Sequence, residues 1–309
     1  MNTQSNAIPG SPHESQGVAP VVISATRRMS WSVQRELWEF RSIYLAPLAA
    51  AAVVLFGFLI STFRLPAKMR AAMALAPEKQ HAAIVMPYHF AAALIMGAAV
   101  IVAVFYCLDA LHGERRDRSI LFWKSLPVSD LTTVLAKASI PLVVLQLLSF
   151  AITVATQWIM LLLSSAVLLG NGMNVATLRT QLSLFQMSLM LLYHLMTVHA
   201  LWYAPIYGWL LLVSAWARRA PLLWAVLPPL AICVVEKIAF NTSHFAAMLG
   251  GRFRGGAEAV TFPGRFPIDP MMQLTPGRFL SSPGLWIGLL VFAIFLAAAV
   301  RLRRYREPI

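Results

Sequence analysis

The sequence predicts an all-α polytopic membrane protein of six transmembrane helices, with an N-terminal interfacial helix and a polar cytoplasmic segment between helices 2 and 3. Three observations carry that prediction. Six stretches approach the roughly 20 mostly apolar residues that a helix needs to cross the bilayer core. The composition is 59% hydrophobic and 12% charged, with a mean hydropathy of +0.70, well away from the balance of a soluble domain. Clusters of Lys and Arg fall at alternate ends of the stretches, as an even number of crossings requires. A β-barrel would instead show short alternating segments.

Taken in order, residues 1–26 hold Pro9, Gly10, Pro12, Gly17 and Pro20 among polar residues, with no apolar core after a basic start. They read as a disordered cytoplasmic tail rather than a signal peptide, and residues 27–309 as one transmembrane domain. From Ser30 to Tyr44, Trp31, Val33, Leu37, Trp38 and Phe40 alternate with Gln34, Arg35, Glu36, Glu39 and Arg41. That pattern suits an amphipathic helix lying at headgroup depth.

The expected spans are Ile43 to Phe63, Phe90 to Leu108, Ile140 to Leu163, Tyr193 to Ala217, Leu222 to Phe240 and Phe279 to Val300. Pro205 is expected to kink the fourth. Asn174, Arg179, Gln181 and Gln186 suit a headgroup layer before it.

Basic residues set the orientation. Arg27, Arg28, Arg35 and Arg41 precede the first span, Arg115, Arg116, Arg118, Lys124 and Lys137 follow the second, and Arg218 and Arg219 follow the fourth. Arg301, Arg303, Arg304 and Arg306 close the chain. Both termini are then cytoplasmic, although Arg64, Lys68, Arg70 and Lys79 in the first outer loop run against the rule. The net charge of +13 flanks spans, where it meets anionic lipid headgroups, and forms no stripe with stacking aromatics. Membrane lipid, and not nucleic acid, is the expected partner of these charges.

Catalytic and metal signatures are lacking. Cys107 and Cys233 form no ligand or redox motif and read as packing residues. His194 and His199, five apart, miss the four-residue spacing that puts two ligands on one α-helical face, so no metal site is expected. There is no HExxH or GxSxG. Without a GxxxxGK[ST] phosphate cradle, any ATP and magnesium would be held by another polypeptide.

The interval His112 to Lys137 is the most informative polar segment. Gly113, Glu114, Arg115, Arg116, Asp117 and Arg118 read as a solvated start, after which Ile120 and Trp123 share a face until Pro127 ends the turn. Ser129 or Asp130 then caps a second helix, whose apolar stripe is Leu131, Val134, Leu135 and Ala138.

This order of motifs resembles the type-2 ABC exporter permeases, the membrane subunits of ATP-binding-cassette transporters. The residues that carry it are Glu114 to Arg118, Ser125-Leu126-Pro127-Val128-Ser129, Trp216-Ala217-Arg218-Arg219-Ala220-Pro221 and the basic tail Arg301-Leu302-Arg303-Arg304-Tyr305. Arg118-Ser119 stands where family members often have Gly-Thr. The resemblance implies a permease subunit in a bacterial-type inner membrane, pairing with a second permease copy and with cytoplasmic P-loop ATPase subunits. It also makes His112 to Lys137 the cytoplasmic coupling segment, and implies short helices after the fifth span that dip back into the membrane.

In such a segment Ile120, Phe122, Trp123 and Leu126 are expected to anchor in an apolar groove, while Glu114, Arg115, Asp117 and Arg118 set orientation at its rim. Gln157, Tyr203, Tyr207, Glu236 and Lys237 are polar groups inside spans and are candidates for a translocation path or gate. Tyrosines near an interface also serve as belt anchors, and Lys237 can snorkel. Two other classes stay open: an ion-coupled secondary transporter using Glu236, Lys237 or Asp109, and a non-transporting anchor or assembly factor.

Overall fold

The computed structural model describes residues 24–117, 128–255 and 276–305. Among them there is no strand, and six helices are long and apolar enough to cross a membrane: Ser42–Thr62, Pro77–Arg116, Asp130–Gly170, Leu184–Trp202, Pro221–Phe240 and Pro283–Tyr305. The protein is an all-α polytopic membrane protein.

Helix α1 (Ala25–Glu39) starts where the Ser24 hydroxyl accepts the Arg27 N–H at 3.3 Å, an N-cap that satisfies one orphan donor. Its two tryptophans point outward and Glu36 points inward. Helix α2 (Ser42–Thr62) is the first span. The expected outer loop after it contains a helix, α3 (Leu65–Met73), with Pro66 in its first turn. Sequence periodicity missed it because Lys68 and Arg70 interrupt the apolar pattern, yet Met69 and Ala72 are buried in one cluster with Ile84 and Tyr88.

The second span is longer than expected. Helix α4 runs from Pro77 to Asp109, since Ile84, Val85 and Tyr88 pack inward although the polar residues around them depress the local hydropathy. After a two-residue step, Ala110 and Leu111, comes α5 (His112–Arg116).

On the far side of the undescribed residues 118–127, Ser129 caps α6 (Asp130–Ser139), its hydroxyl accepting the Thr132 N–H at 3.1 Å. The apolar stripe expected on α6 is rotated: Val134 and Ala138 are buried, but Leu131 and Leu135 are exposed. The cause is Lys137, which turns fully inside to meet carboxylates. α6 passes through a π-helical turn (Ile140–Val144) into α7 (Leu145–Gly170). Pro141, lacking an N–H, disturbs the i to i−4 ladder at this point. The short α8 (Ala176–Gln181) follows.

The fourth expected span is divided. α9 (Leu184–His194) continues as a π-helix (Leu195–Trp202), and α10 (Ala204–Trp216) restarts with Pro205 in its first turn. The π-helix corrects the histidine reading. Its i to i+5 repeat places His194 and His199 side by side, ring centroids 5.4 Å apart, with Tyr203 next at 5.2 Å. No group of three or more potential metal ligands occurs among the described residues.

The remaining elements are α11 (Pro221–Phe240), α12 (His244–Phe253), α13 (Pro276–Leu280) and α14 (Pro283–Tyr305). The core lies in two main parts. One joins α2, α4, α6, α10 and α14 through Ile43, Tyr106, Leu111, Val134, Leu211 and Ala299. The other lies at the opposite end and joins α2, α3, α4, α7 and α8. Helix α11 joins the first part through Ala225, its one buried residue.

Candidate functional site

The first core cluster ends in a knot of buried charges where the helices from both halves of the chain converge. Glu114, on α5, is its centre. One carboxylate oxygen accepts Arg35 Nη2 at 3.1 Å and Lys137 Nζ at 3.2 Å, and the other accepts Arg303 Nη1. Lys137 also donates to Glu36 Oε1 at 2.8 Å, while the Tyr106 hydroxyl donates to Glu36 Oε2 at 2.8 Å. Arg303 Nε donates to Asp130 Oδ1 at 3.0 Å, and Arg35 reaches Glu39 at 3.2 Å.

The charges balance. Arg35, Lys137 and Arg303 face Glu36, Glu114 and Asp130, with Glu39 at the rim. The side chains of Lys137, Glu36 and Glu114 are no more than 1% exposed. Burying such ions costs several kcal/mol each, so the arrangement persists only because every charge has an opposite partner and hydrogen bonds. A knot of this kind adds little net stability over an apolar core. It does hold α1, α5, α6 and α14 in one geometry.

The residues beside Glu114 make a second attachment. The Ser214 hydroxyl accepts the backbone N–H groups of Leu111 and His112 at 3.0 and 2.9 Å. Arg115 Nη1 donates to the Ala215 and Ala217 carbonyls at 2.8 and 3.3 Å, and His112 Nδ1 lies 3.2 Å from the Ala217 oxygen. These are the orphan carbonyls at the end of α10, which a cation caps well.

Glu114 and Arg115 therefore differ from the solvated start expected for them. Both are buried, and their partners lie on distant elements that a single sequence does not pair. Arg116 and Asp117 remain exposed, joined by a 3.0 Å ion pair. Arg118, Ile120, Phe122, Trp123 and Leu126 lie outside the described residues.

The polar groups inside spans are distributed. Gln157 is buried and donates to the Tyr88 carbonyl at 3.3 Å. Tyr207 is buried in the first core cluster, and Tyr203 packs at its edge. The Tyr203 hydroxyl donates to the Phe253 carbonyl at 2.9 Å. Arg252 is stacked 4.2 Å over the Trp202 ring and donates to the Trp202 carbonyl at 3.3 Å and to the Gly284 carbonyl. That Trp202 carbonyl sits at the break before α10, where the helix N–H of Ile206 turns instead to Tyr203.

Glu236 is engaged locally. It accepts the Thr242 hydroxyl at 2.9 Å and the N–H groups of His244 and Phe245 at 2.6 and 2.9 Å, so it acts as the N-terminal cap of α12. Lys237 is exposed next to it. Glu236→Gln is expected to fray that first turn: amide hydrogen exchange at residues 244–247 should accelerate severalfold while the residues of the buried charge knot around Glu114 exchange as before. Unchanged exchange at 244–247 would rule out the capping role.

Sequence reasoning missed Arg35, Glu36, Tyr106, Lys137 and Arg303 as members of one site. The available signal was Lys137 itself, a cation on the apolar side of α6 between Val134 and Pro141. Compared with protein-family models, curated proteins and solved structures, the chain matches none.

Proposed function

We propose that the chain is the membrane-spanning permease subunit of an ATP-binding-cassette exporter. Two permease copies would work with separate cytoplasmic P-loop ATPase subunits, which hold the ATP and magnesium. The setting is a bacterial-type inner membrane with both termini cytoplasmic, and the cargo is an amphipathic molecule. The supporting observation is the buried charge hub at the base of the bundle. It fixes both ends of the segment around residues 118–127: Glu114 anchors the entry, and Lys137 and Asp130 anchor the capped helix at the exit.

That helix is continuous with the third span over Asp130–Gly170. A push delivered to the segment would therefore travel as a rigid-body movement and not be lost in a loose loop. In this reading Ile120, Phe122, Trp123 and Leu126 fill an apolar groove on the ATPase. Arg116, Asp117 and Arg118 meet its rim, while Glu114 and Arg115 hold the segment from behind.

The test is co-purification of the tagged full-length chain from its native membrane, followed by ATP hydrolysis and transport assays on wild-type and Trp123→Ala proteins. A P-loop ATPase should co-purify, and Trp123→Ala should lower transport per ATP hydrolysed by about tenfold or more, the effect of losing an interface anchor. Repeated isolation with no ATPase, or unaltered coupling in Trp123→Ala, would overturn the proposal.

A further inference from the structure

We propose that the crevice between α2, α3 and α4, at the end of the bundle opposite the termini, binds a single acyl chain carrying an anionic headgroup, with Lys68 at its mouth. The crevice has a volume of about 380 Å³, within the range of small-molecule sites of about 300–1,000 Å³. Its walls include Phe58, Leu65, Met69, Leu75 and Ile84. An apolar hollow of this kind does not hold water well. Hydrocarbon from the bilayer is the filling nearest to hand, and the volume accommodates roughly a dozen methylenes at about the 30 Å³ share of a water molecule.

The lining also has polar members. Ser61 and Lys68 come from the α2–α3 corner, and the Tyr88 and Ser164 hydroxyls, 3.3 Å apart, satisfy each other. Lys68 is exposed and has no carboxylate partner among the described residues. Arg64 stands four residues earlier, on the same side of the chain's turn into α3. Pro87 and Ala83 also line the crevice. Pro87 has no N–H to give the Ala83 carbonyl, so that oxygen lacks its usual helix donor and is available to a hydroxyl or ammonium on the headgroup.

Charge gives the occupant its sign. Arg64, Lys68, Arg70 and Lys79 are set against Glu78 in this short stretch, which leaves it with a net positive charge. Retention of these cations beside an apolar crevice is what an acyl anion requires: a tail to fill the hollow and a phosphate or carboxylate to meet the lysine. This holds whatever the chain transports.

The ligand chemistry has two sources, a bilayer phospholipid or a free fatty acid. The experiment places the full-length chain in zwitterionic vesicles containing a diazirine-bearing palmitate, irradiates, and maps the adducts by peptide mass spectrometry. Adducts should concentrate on peptides covering residues 58–88. Lys68→Glu, an exposed change that leaves the fold alone, should reduce them about fivefold or more. Ala72→Phe, which fills the hollow, should reduce them about tenfold while the protein still elutes as folded. Lys79→Glu, in the same stretch but outside the crevice, should label like wild type. Suppression by added phosphatidylglycerol assigns the site to bilayer lipid, and suppression by unlabelled palmitate alone assigns it to free fatty acid. Adducts spread evenly over the lipid-facing helices, no suppression by either competitor, or wild-type labelling in both Lys68→Glu and Ala72→Phe would overturn the proposal.

Discussion

Glu114→Gln is expected to destabilise the protein more than any other single polar substitution in it. The amide keeps the shape of the carboxylate but removes the negative charge that Arg35, Lys137 and Arg303 share. Lys137, fully buried, is then left with Glu36 alone, and Arg303 with Asp130. Breaking a buried ion pair from one side costs about 3–5 kcal/mol, because the remaining charge stays desolvated without its partner. A thermal melt of the detergent-solubilised chain should therefore fall by more than about 5 °C. Raising the salt should not restore it, since buried charges are poorly screened.

Pairing the change with Arg303→Met should cost less than the sum of the two, with a coupling of about 0.5–3 kcal/mol, since the second substitution removes one of the stranded cations. Arg116→Ala, two residues away but exposed, should melt like wild type. If Glu114→Gln melted within a degree of wild type, water would have to reach the hub, and a rigid mount for the 118–127 segment would lose its basis.

The hub also shows what was legible in the sequence. The spans were, because hydrocarbon accepts few polar residues and so marks each crossing with a long apolar run. Span ends were read less well. The start of α4 is masked by Glu78, Lys79 and His81, and α3 by its own cations. The capped start of α6 was readable from Ser129, because an N-cap is a local signal.

Glu114 and Arg115 were picked out in the right segment but given the wrong surroundings. A Glu followed by three basic residues within four positions reads as solvated by composition, and nothing local reports that Arg35 and Arg303 lie 79 and 189 residues away in sequence. The adjacency of His194 and His199 was hidden for a different reason. Spacing arguments assume an α-helical period, and a π-helix changes the period without a compositional mark.

The second large effect is expected at Gly208, a tight contact between α10 and α14. A Cβ there would stand 2.7 Å from the Phe292 ring and 3.4 Å from the Phe295 Cβ. In a membrane, where helix association rests on van der Waals fit more than on hydrophobic burial, a small residue at such a contact lets the helices meet. Gly208→Ala forces the Phe292 ring aside and should cost about 1–3 kcal/mol. Gly208→Leu cannot be accommodated by one ring and should part the helices. Gly57→Ala, with nothing within 4 Å of the added Cβ, supplies the contrast: a helical Gly→Ala change in open space should be neutral or stabilise by up to about 1 kcal/mol.

The consequence extends beyond local packing, because α14 carries Arg303, eleven residues or roughly 16 Å further along the same helix. Displacing α14 should loosen the Arg303 contact with Glu114 and accelerate hydrogen exchange at residues 112–117, far from the substitution itself. Gly208→Leu combined with Arg303→Met should then accelerate that exchange little more than either change alone, since the second removes the link through which the first acts. Exchange at 112–117 that stayed at the wild-type rate in Gly208→Leu would mean that α14 moves independently of the hub, and the sixth helix would drop out of the mount proposed for the coupling segment.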